Sequence, residues 1–133
     1  MLTVFQAGED RLLLETRRRV LESLGLKVMT AGSAREALEQ IPGLHFDIAI
    51  LCHSVSVHRR QELAAALRMA NPAAPILLVG RGFAGLVEAE SVEIDAIIDP
   101  HPARLTESLA RLLHLKRRSG IARYDEGLLD SAE

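Results

Sequence analysis

The residues that could take part in chemistry stand directly after apolar runs of the sequence. Glu9 and Asp10 follow the first run, and neighbouring carboxylates are able to hold a divalent cation. Cys52 ends another run beside His53, which could activate the thiol for oxidation or modification. The turn at 80–82 reads Gly-Arg-Gly and invites comparison with phosphate-binding loops. Each stretch therefore defines a candidate site.

The spacing of these stretches matches no dedicated metal or nucleotide motif. His45, His53 and His58 lie near Cys52, but no Cys-x-x-Cys or His-x3-His pair is present, so we expect no metal site. The turn at 80–82 lacks the GxxxxGK[ST] pattern. Neighbouring side chains at a strand end point to opposite faces, so His53 is not expected to reach the thiol. We predict no catalytic residue, no metal and no cofactor.

Composition excludes several classes of protein. The 133 residues are enough for one domain, and 18 acidic against 16 basic residues leave a net charge of −2, too little positive charge for a nucleic-acid binder. The single cysteine excludes an intrachain disulfide and fits a reducing compartment. No basic leader is present, and no apolar run approaches the roughly 20 residues of a membrane helix. We therefore expect a cytoplasmic protein with no nucleic-acid or membrane partner.

Short apolar runs alternate with segments of helical periodicity. Gly25 is placed as a helix C-cap, and Ser33 with Glu36 forms a capping box. On the first helix, the residues predicted to recur on the apolar face are Leu13, Val20, Leu21 and Leu24. The predicted strands are Leu2–Ala7, Leu26–Thr30, Phe46–Cys52, Pro75–Val79 and Asp95–Ile98. The predicted helices are Arg11–Leu24, Ser33–Gln40, Arg59–Ala70, Ala84–Ser91 and Ala103–Leu115.

This alternation predicts an α/β fold. Continuous apolar strands separated by helices are typical of a parallel sheet covered on both faces. We expect a flavodoxin-like (βα)5 doubly wound sandwich, with a five-stranded parallel sheet of order 2-1-3-4-5. The domain is assigned to residues 1–115, and residues 116–133 form a partly flexible C-terminal extension. In such folds the carboxyl ends of the strands carry function, which brings the candidate stretches to one edge.

The sequence resembles the receiver domains of two-component response regulators. The resemblance rests on the acidic turn after the first strand, the pattern LLLETRRRVLESLGLKV, the phrase FDIAIL and the strand PILLV. It covers residues 2 to about 115 and implies the receiver fold. A weaker likeness of the phrase LCHS, at 51–54, points to a subgroup of atypical stand-alone bacterial receivers.

The same resemblance implies that the receiver chemistry is missing. Receivers bind a cation with an acidic pair, of which Glu9 is retained and Gly8 replaces the other member. The phosphorylated aspartate falls on Cys52, five residues after Asp47, and a thiol cannot form an acyl phosphate. The altered phosphorylation-site region comprises Gly8, Glu9, Asp10, Cys52, Gly80, Arg81, Ile97, Asp99 and Pro100. The resemblance implies that Gly80 replaces the hydroxyl residue at the end of the fourth strand of receivers. Asp99 or Pro100 replaces the lysine at the end of their fifth strand, and Ile97 replaces the aromatic residue whose rotamer reports phosphorylation.

The expected function is that of a stand-alone pseudo-receiver, which is not an enzyme and acts in signal transduction by phosphorylation-independent protein–protein contact. The implied partner is a histidine kinase, a regulator, another signalling protein or a second copy. Receivers use the face of their fourth helix, fifth strand and fifth helix for such contacts. The residues assigned to that face are Phe83, Leu86, Val87, Ile97, Arg104, Glu107 and Arg111.

Several alternatives stay open. The chain could be a redox-responsive regulator that senses through Cys52, or a small-molecule-binding flavodoxin-like domain. Arg81 could fill the vacated pocket and pair with Glu9 or Asp10. Arg17, Arg18 and Arg19 are interpreted as a solvated face, with Glu15 and Glu22 as helical partners of Arg19 and Arg18.

Overall fold

The computed structural model describes residues 2–52, 54–79, 94–98 and 106–111. The strands are β1 (Thr3–Ala7), β2 (Lys27–Ala31), β3 (Ile48–Cys52), β4 (Ile76–Val79) and β5 (Ala96–Ile98). The α-helices are α1 (Arg11–Ser23), α2 (Ala34–Gln40) and α3 (Val57–Ala70), and a 3-10 turn covers Ile41–Gly43. Residues 106–111 are also helical and lie inside the predicted last helix. The predicted fourth helix and the extension 116–133 lie outside the described residues.

The five strands form one parallel sheet of order β2-β1-β3-β4-β5, which confirms the predicted flavodoxin-like topology. In the registers of β1, Thr3 faces Lys27 of β2, and Ala7 faces Leu51 of β3. β4 continues the sheet with Val79 opposite Cys52. The strands are apolar on both faces because helices cover both sides.

Two apolar layers lie on opposite faces of this sheet. One contains Phe5 and Leu51, packed against residues of α2 and α3. The other contains Val4 and Ile50, packed against Leu21 of α1 and Leu109 of the helical segment 106–111. This doubly covered sheet is the predicted sandwich, and Cys52 belongs to the α1 side because side chains alternate along β3.

Short polar side chains begin the three helices. Asp10 caps α1, Ser33 caps α2, and Ser56 caps α3 by accepting from the Arg59 amide at 3.4 Å. The last cap starts α3 two residues before the predicted Arg59, because a serine oxygen satisfies an otherwise unpaired first-turn amide. Gly25 has a φ of 84°, which confirms the predicted C-cap.

Aspartates join adjacent strands at the amino edge of the sheet. The Thr3 amide donates to Oδ2 of Asp47 at 2.8 Å, and the Asp47 amide donates to the Thr3 carbonyl at 2.8 Å. In the same way, the Ile76 amide donates to Oδ2 of Asp95 at 2.6 Å, and the Asp95 amide donates to the Ile76 carbonyl at 2.8 Å. Arg68 of α3 also donates to Oδ2 of Asp95 at 2.9 Å. We call Asp47 and Asp95 the strand anchors.

The buried stripe of α1 differs from the prediction. Leu14, Arg17 and Leu21 are buried, whereas Leu13 is 40% exposed. The spacing of three and then four residues is helical, but an arginine occupies its centre, so a pattern of apolar residues alone selects the wrong leucine. No helix in the described part of the chain has the length and apolar character needed to cross a membrane.

Candidate functional site

The ends of β1 and β3 bring Gly8 and Cys52 into direct contact. A Cβ atom built on Gly8 would lie 2.7 Å from Cβ of Cys52, 3.3 Å from its Sγ and 3.2 Å from Cδ2 of Leu14. The nearest of these distances is shorter than carbon atoms tolerate without displacement. Position 8 therefore accepts glycine alone while these neighbours keep their places, and an acidic side chain has no room there.

Cys52 is free, and its side chain is completely buried. The guanidinium of Arg17 approaches it from α1, with Nη1 donating to Sγ at 3.6 Å. Arg17 itself is only 6% exposed. The cation therefore lies inside the protein, directly beside Cys52, the residue predicted to replace the phosphorylated aspartate.

The interpretation of the three arginines as a solvated face is wrong for Arg17. Its aliphatic stem continues the buried stripe of α1, because long cationic side chains pack their methylene groups against apolar surfaces. Arg18 pairs with Glu22 at 3.0 Å and Arg19 with Glu15 at 3.5 Å, which confirms the predicted helical pairs. Arg18 also pairs with Glu15, and this contact lowers the pKa of the exposed Glu15 carboxyl.

The acidic turn after β1 is used for local structure. Oδ1 of Asp10 accepts from the amides of Leu12 and Leu13 at 3.1 and 3.2 Å, which caps α1. The Glu9 amide donates to Oγ of Ser54 at 2.9 Å and ties this turn to the loop after β3. Glu9 and Asp10 are both exposed. In the described ranges, no three His, Cys, Asp or Glu side chains gather as a metal site.

A buried glutamine lies one layer below the site and was not predicted. Nε2 of Gln6 donates to the Leu14 carbonyl at 2.8 Å and to Oγ1 of Thr30 at 3.0 Å. Among the described residues its Oε1 has no hydrogen-bond partner. A polar residue inside the apolar run LTVFQA was the signal that could have identified it. Gln6 fixes the first turn of α1 against β1 and β2.

The structure tests the other predicted positions only in part. The main chain of Ile97 pairs with Leu78 in β5, at the far side of β4 from the site. Glu107 and Arg111 are exposed on the helical segment whose Leu109 is buried. The predicted positions outside the described residues are Gly80, Arg81, Phe83, Leu86, Val87, Asp99, Pro100 and Arg104, and His53 is outside them as well.

A groove of about 230 Å³ lies beside the site, between the start of α1 and the loop after β2. Its walls include Arg11, Glu15 and Glu36, whose charges are of both signs. Glu36 is already hydrogen-bonded, accepting from the Gly32 amide at 3.4 Å and from Gln40 at 3.2 Å. The groove is open and its acidic wall is internally satisfied, so it offers little that would select one ligand.

No family model matches the sequence, and no curated protein matches it significantly. Solved structures do match. A CheY-like receiver domain protein from Methanospirillum hungatei has 20% identity and a TM-score of 0.75, over 90% of this chain and 98% of that chain. The chemotaxis protein CheY4 of Vibrio cholerae has 24% identity and a TM-score of 0.72, over 84% and 98%.

A third similar structure is a response regulator from Burkholderia pseudomallei, solved with a phosphorylated aspartic acid, a calcium ion and citrate. It has 23% identity and a TM-score of 0.70, over 83% of this chain and 65% of that one. At such identities the likeness establishes the fold. Together with the strand order β2-β1-β3-β4-β5, these matches give the conclusion that this chain has the CheY-like fold of response regulator receiver domains.

Proposed function

We propose that this chain is a pseudo-receiver, which acts in signal transduction through protein–protein contact that does not depend on its own phosphorylation. The observation that carries the proposal is the contact between Gly8 and Cys52 at the carboxyl ends of β1 and β3. A thiol cannot form the acyl phosphate of an aspartate. A glycine with no room for a side chain cannot supply the missing cation ligand.

The electrostatics of the site support the same proposal. The buried guanidinium of Arg17 stands beside position 52, so a positive charge is present without a bound metal. Asp10 is committed to capping α1. Glu9 remains as a single exposed carboxylate, and one oxygen ligand group is far short of the six or more oxygens that hard cations take.

Intact-mass measurement after incubation with Mg²⁺ and acetyl phosphate tests the loss of chemistry. We expect no stable gain of one phosphoryl group, while a receiver with an intact aspartate, treated in parallel, gains one. A phosphoryl group located on an aspartate of this chain would contradict the proposal.

The partner face is proposed to include the exposed charges of the helical segment 106–111. Glu107 and Arg111 are four residues apart and exposed, on the side away from buried Leu109. A matched pair exists on α2, where Arg35 and Glu39 are also exposed and four residues apart. Exchanging the charges within either pair leaves the net charge of the chain unchanged.

Affinity capture with three baits tests this face. A true partner should be retained by the native chain and by the R35E/E39R variant, and lost from the E107R/R111E variant. If every captured protein binds all three baits equally, this segment is not the partner face.

A redox-responsive regulator is the second candidate, and the contact between Arg17 and Cys52 favours it. Peroxide oxidises a thiol to a sulfenic acid and is itself reduced to water, and a neighbouring cation stabilises the anionic products of further oxidation. Against this function, Cys52 is completely buried, so an oxidant reaches it only after local opening. Rapid labelling of Cys52 by a thiol probe in the folded protein would favour the redox function, and an unreactive thiol the pseudo-receiver.

A further inference from the structure

We infer that Arg17 is the resident cation of position 52: its guanidinium supplies from within α1 the positive charge that a bound metal would otherwise bring to an anion there. The inference deepens the proposed pseudo-receiver function and rests on it. It adds that the site is built to neutralise an anionic side chain at position 52 without a divalent cation.

The burial of Arg17 is the first step of the argument. Arg17 is 6% exposed, and in the described part of the chain its one hydrogen-bond partner is Sγ of Cys52, at 3.6 Å. Sulfur is a weak acceptor. A buried charge without an opposite charge is expensive, so a thiol alone compensates this guanidinium poorly. The geometry fits an anionic group at position 52 better than it fits the neutral thiol.

The exclusion of a metal is the second step. A side chain at Gly8 would overlap Cβ of Cys52, so this position adds no carboxylate. Asp10 caps α1, and Glu9 points away from the buried layer as an exposed residue. On β4, Cys52 pairs in register with the apolar Val79, whose side chain is buried. The charge that α1 brings to this position is therefore positive, and it belongs to the protein.

The inference predicts how a carboxylate at position 52 behaves. Cys52→Asp adds an acid, and Cys52→Asn is its neutral control of nearly equal size. If Arg17 neutralises the acid, the pKa of the new carboxyl in the folded chain lies below that in the unfolded chain. The stabilisation that the ionised carboxylate gives the folded chain is then present above the unfolded pKa of about 3.9. It is lost as the pH falls through the lower pKa of the folded chain.

Urea unfolding of both variants between acid and neutral pH provides the readout. The inference requires C52D to gain stability relative to C52N as the pH rises. Burial without neutralisation has the opposite sign, because it raises the carboxyl pKa and destabilises the ionised form. A relative loss of stability with rising pH, or a C52D chain that fails to fold at neutral pH, would overturn the inference.

Arg17→Met then identifies the source of the charge. In the R17M background the pH dependence of C52D relative to C52N should reverse, and Arg17→Lys, which keeps a cation, should preserve its sign. A double-mutant cycle that combines R17M and C52D should give a coupling of about tenfold or more in the unfolding equilibrium constant. A coupling near onefold would assign the pH dependence to another group and overturn the inference.

Magnesium completes the test. Millimolar Mg²⁺ should leave the melting temperature of C52D unchanged, and a rise would show that a metal, rather than Arg17, serves the carboxylate. The phosphoryl mass measurement on the native chain is a separate experiment. A phosphorylated native chain would remove the proposed function and leave the Arg17 coupling to be measured, whereas an uncoupled Arg17 would leave the proposed function standing.

Discussion

The two edges of the sheet are joined by different kinds of contact. At the amino edge, Asp47 and Asp95 each accept a hydrogen bond from the first residue of a neighbouring strand and return one from their own amide. At the carboxyl edge, Cys52, which the sequence predicts to replace the phosphorylated aspartate of receivers, packs against Gly8. Polar contacts thus join the strands at the amino edge, whereas a glycine and a cysteine pack together at the carboxyl edge.

This difference separates the contacts that build the sheet from the contacts at its carboxyl edge. Strand register is fixed by the anchors and by apolar layers that include Phe5 and Ile50. The proposed pseudo-receiver function requires the scaffold contacts to be independent of position 52, and the variants below measure how separate the two edges are.

The largest effect is expected at the carboxyl edge, from Gly8→Ala. The new methyl group would stand 2.7 Å from Cβ of Cys52, and this overpacking should reduce the free energy of unfolding by about 2 to 3 kcal/mol. Urea unfolding measures the loss. Gly43→Ala is the control, because nothing lies within 4 Å of its added carbon. Equal stability of the two variants would mean that the close contact at Gly8 is not a constraint.

The next effect is expected at the amino edge, from Asp95→Ala. The buried Ile76 amide would lose its carboxylate acceptor, and Arg68 would lose its contact with Oδ2 of Asp95, at a cost of about 2 kcal/mol. Asp95→Asn keeps an acceptor oxygen and should lose less. Denaturant unfolding of both variants is the measurement. Identical losses of unfolding free energy would show that the oxygen acceptor kept by Asp95→Asn contributes nothing to the strand anchor.

A smaller effect is expected from Asp10→Ala, which removes the N-cap of α1. The Leu12 and Leu13 amides would lose their acceptor, and about 1 kcal/mol of stability should go with it. Asp10→Ser keeps a capping oxygen and should be nearly silent. A matching loss in the serine variant would point to a role for the carboxylate charge beyond capping.

The smallest effect concerns the surface of α1. Arg18 lowers the pKa of Glu15 below its ordinary value of 4.5. The resulting stabilisation is present above that pH and is lost as the pH falls through the lower folded pKa. Glu15→Gln should remove this part of the acid dependence, by the least of the four effects because the pair is exposed and screened. Thermal melts at acid and neutral pH check it, and an unchanged acid dependence would count against the pair.

Much of the fold could be predicted from the sequence because its signals are local. The sequence pattern locates each strand to within two residues, and residue type and spacing alone predict the caps at Gly25 and Ser33. The pattern predicts the start of α3 two residues too late, because Ser56 precedes residues with no apolar periodicity. Parallel order followed from apolar strands alternating with helices, which leaves few arrangements.

The interior of the site could not be predicted in the same way. Counting along the chain predicts that Cys52 replaces an aspartate, but its partner Arg17 lies 35 residues away in sequence. Three consecutive arginines predict an exposed helix face, because arginine side chains are mostly exposed in proteins. The burial of one of them depends on where α1 lies over the sheet. The overlap of a side chain at position 8 with Cys52 likewise depends on the distance between β1 and β3. That distance cannot be predicted from the types of the two residues.

The anchor at Asp47 has a consequence for redesign. Thr3 and Asp47 hold each other, and Gly8 and Cys52 each follow five residues later along adjacent parallel strands. At about 3.3 Å per residue, the anchored ends lie roughly 16 Å from the site. Spacing along β3, rather than the identity of the last side chain, thus determines what meets Gly8. A library that varies position 52 and keeps Asp47 would therefore place each substituent beside Gly8 in the buried layer under α1, where water is excluded from it.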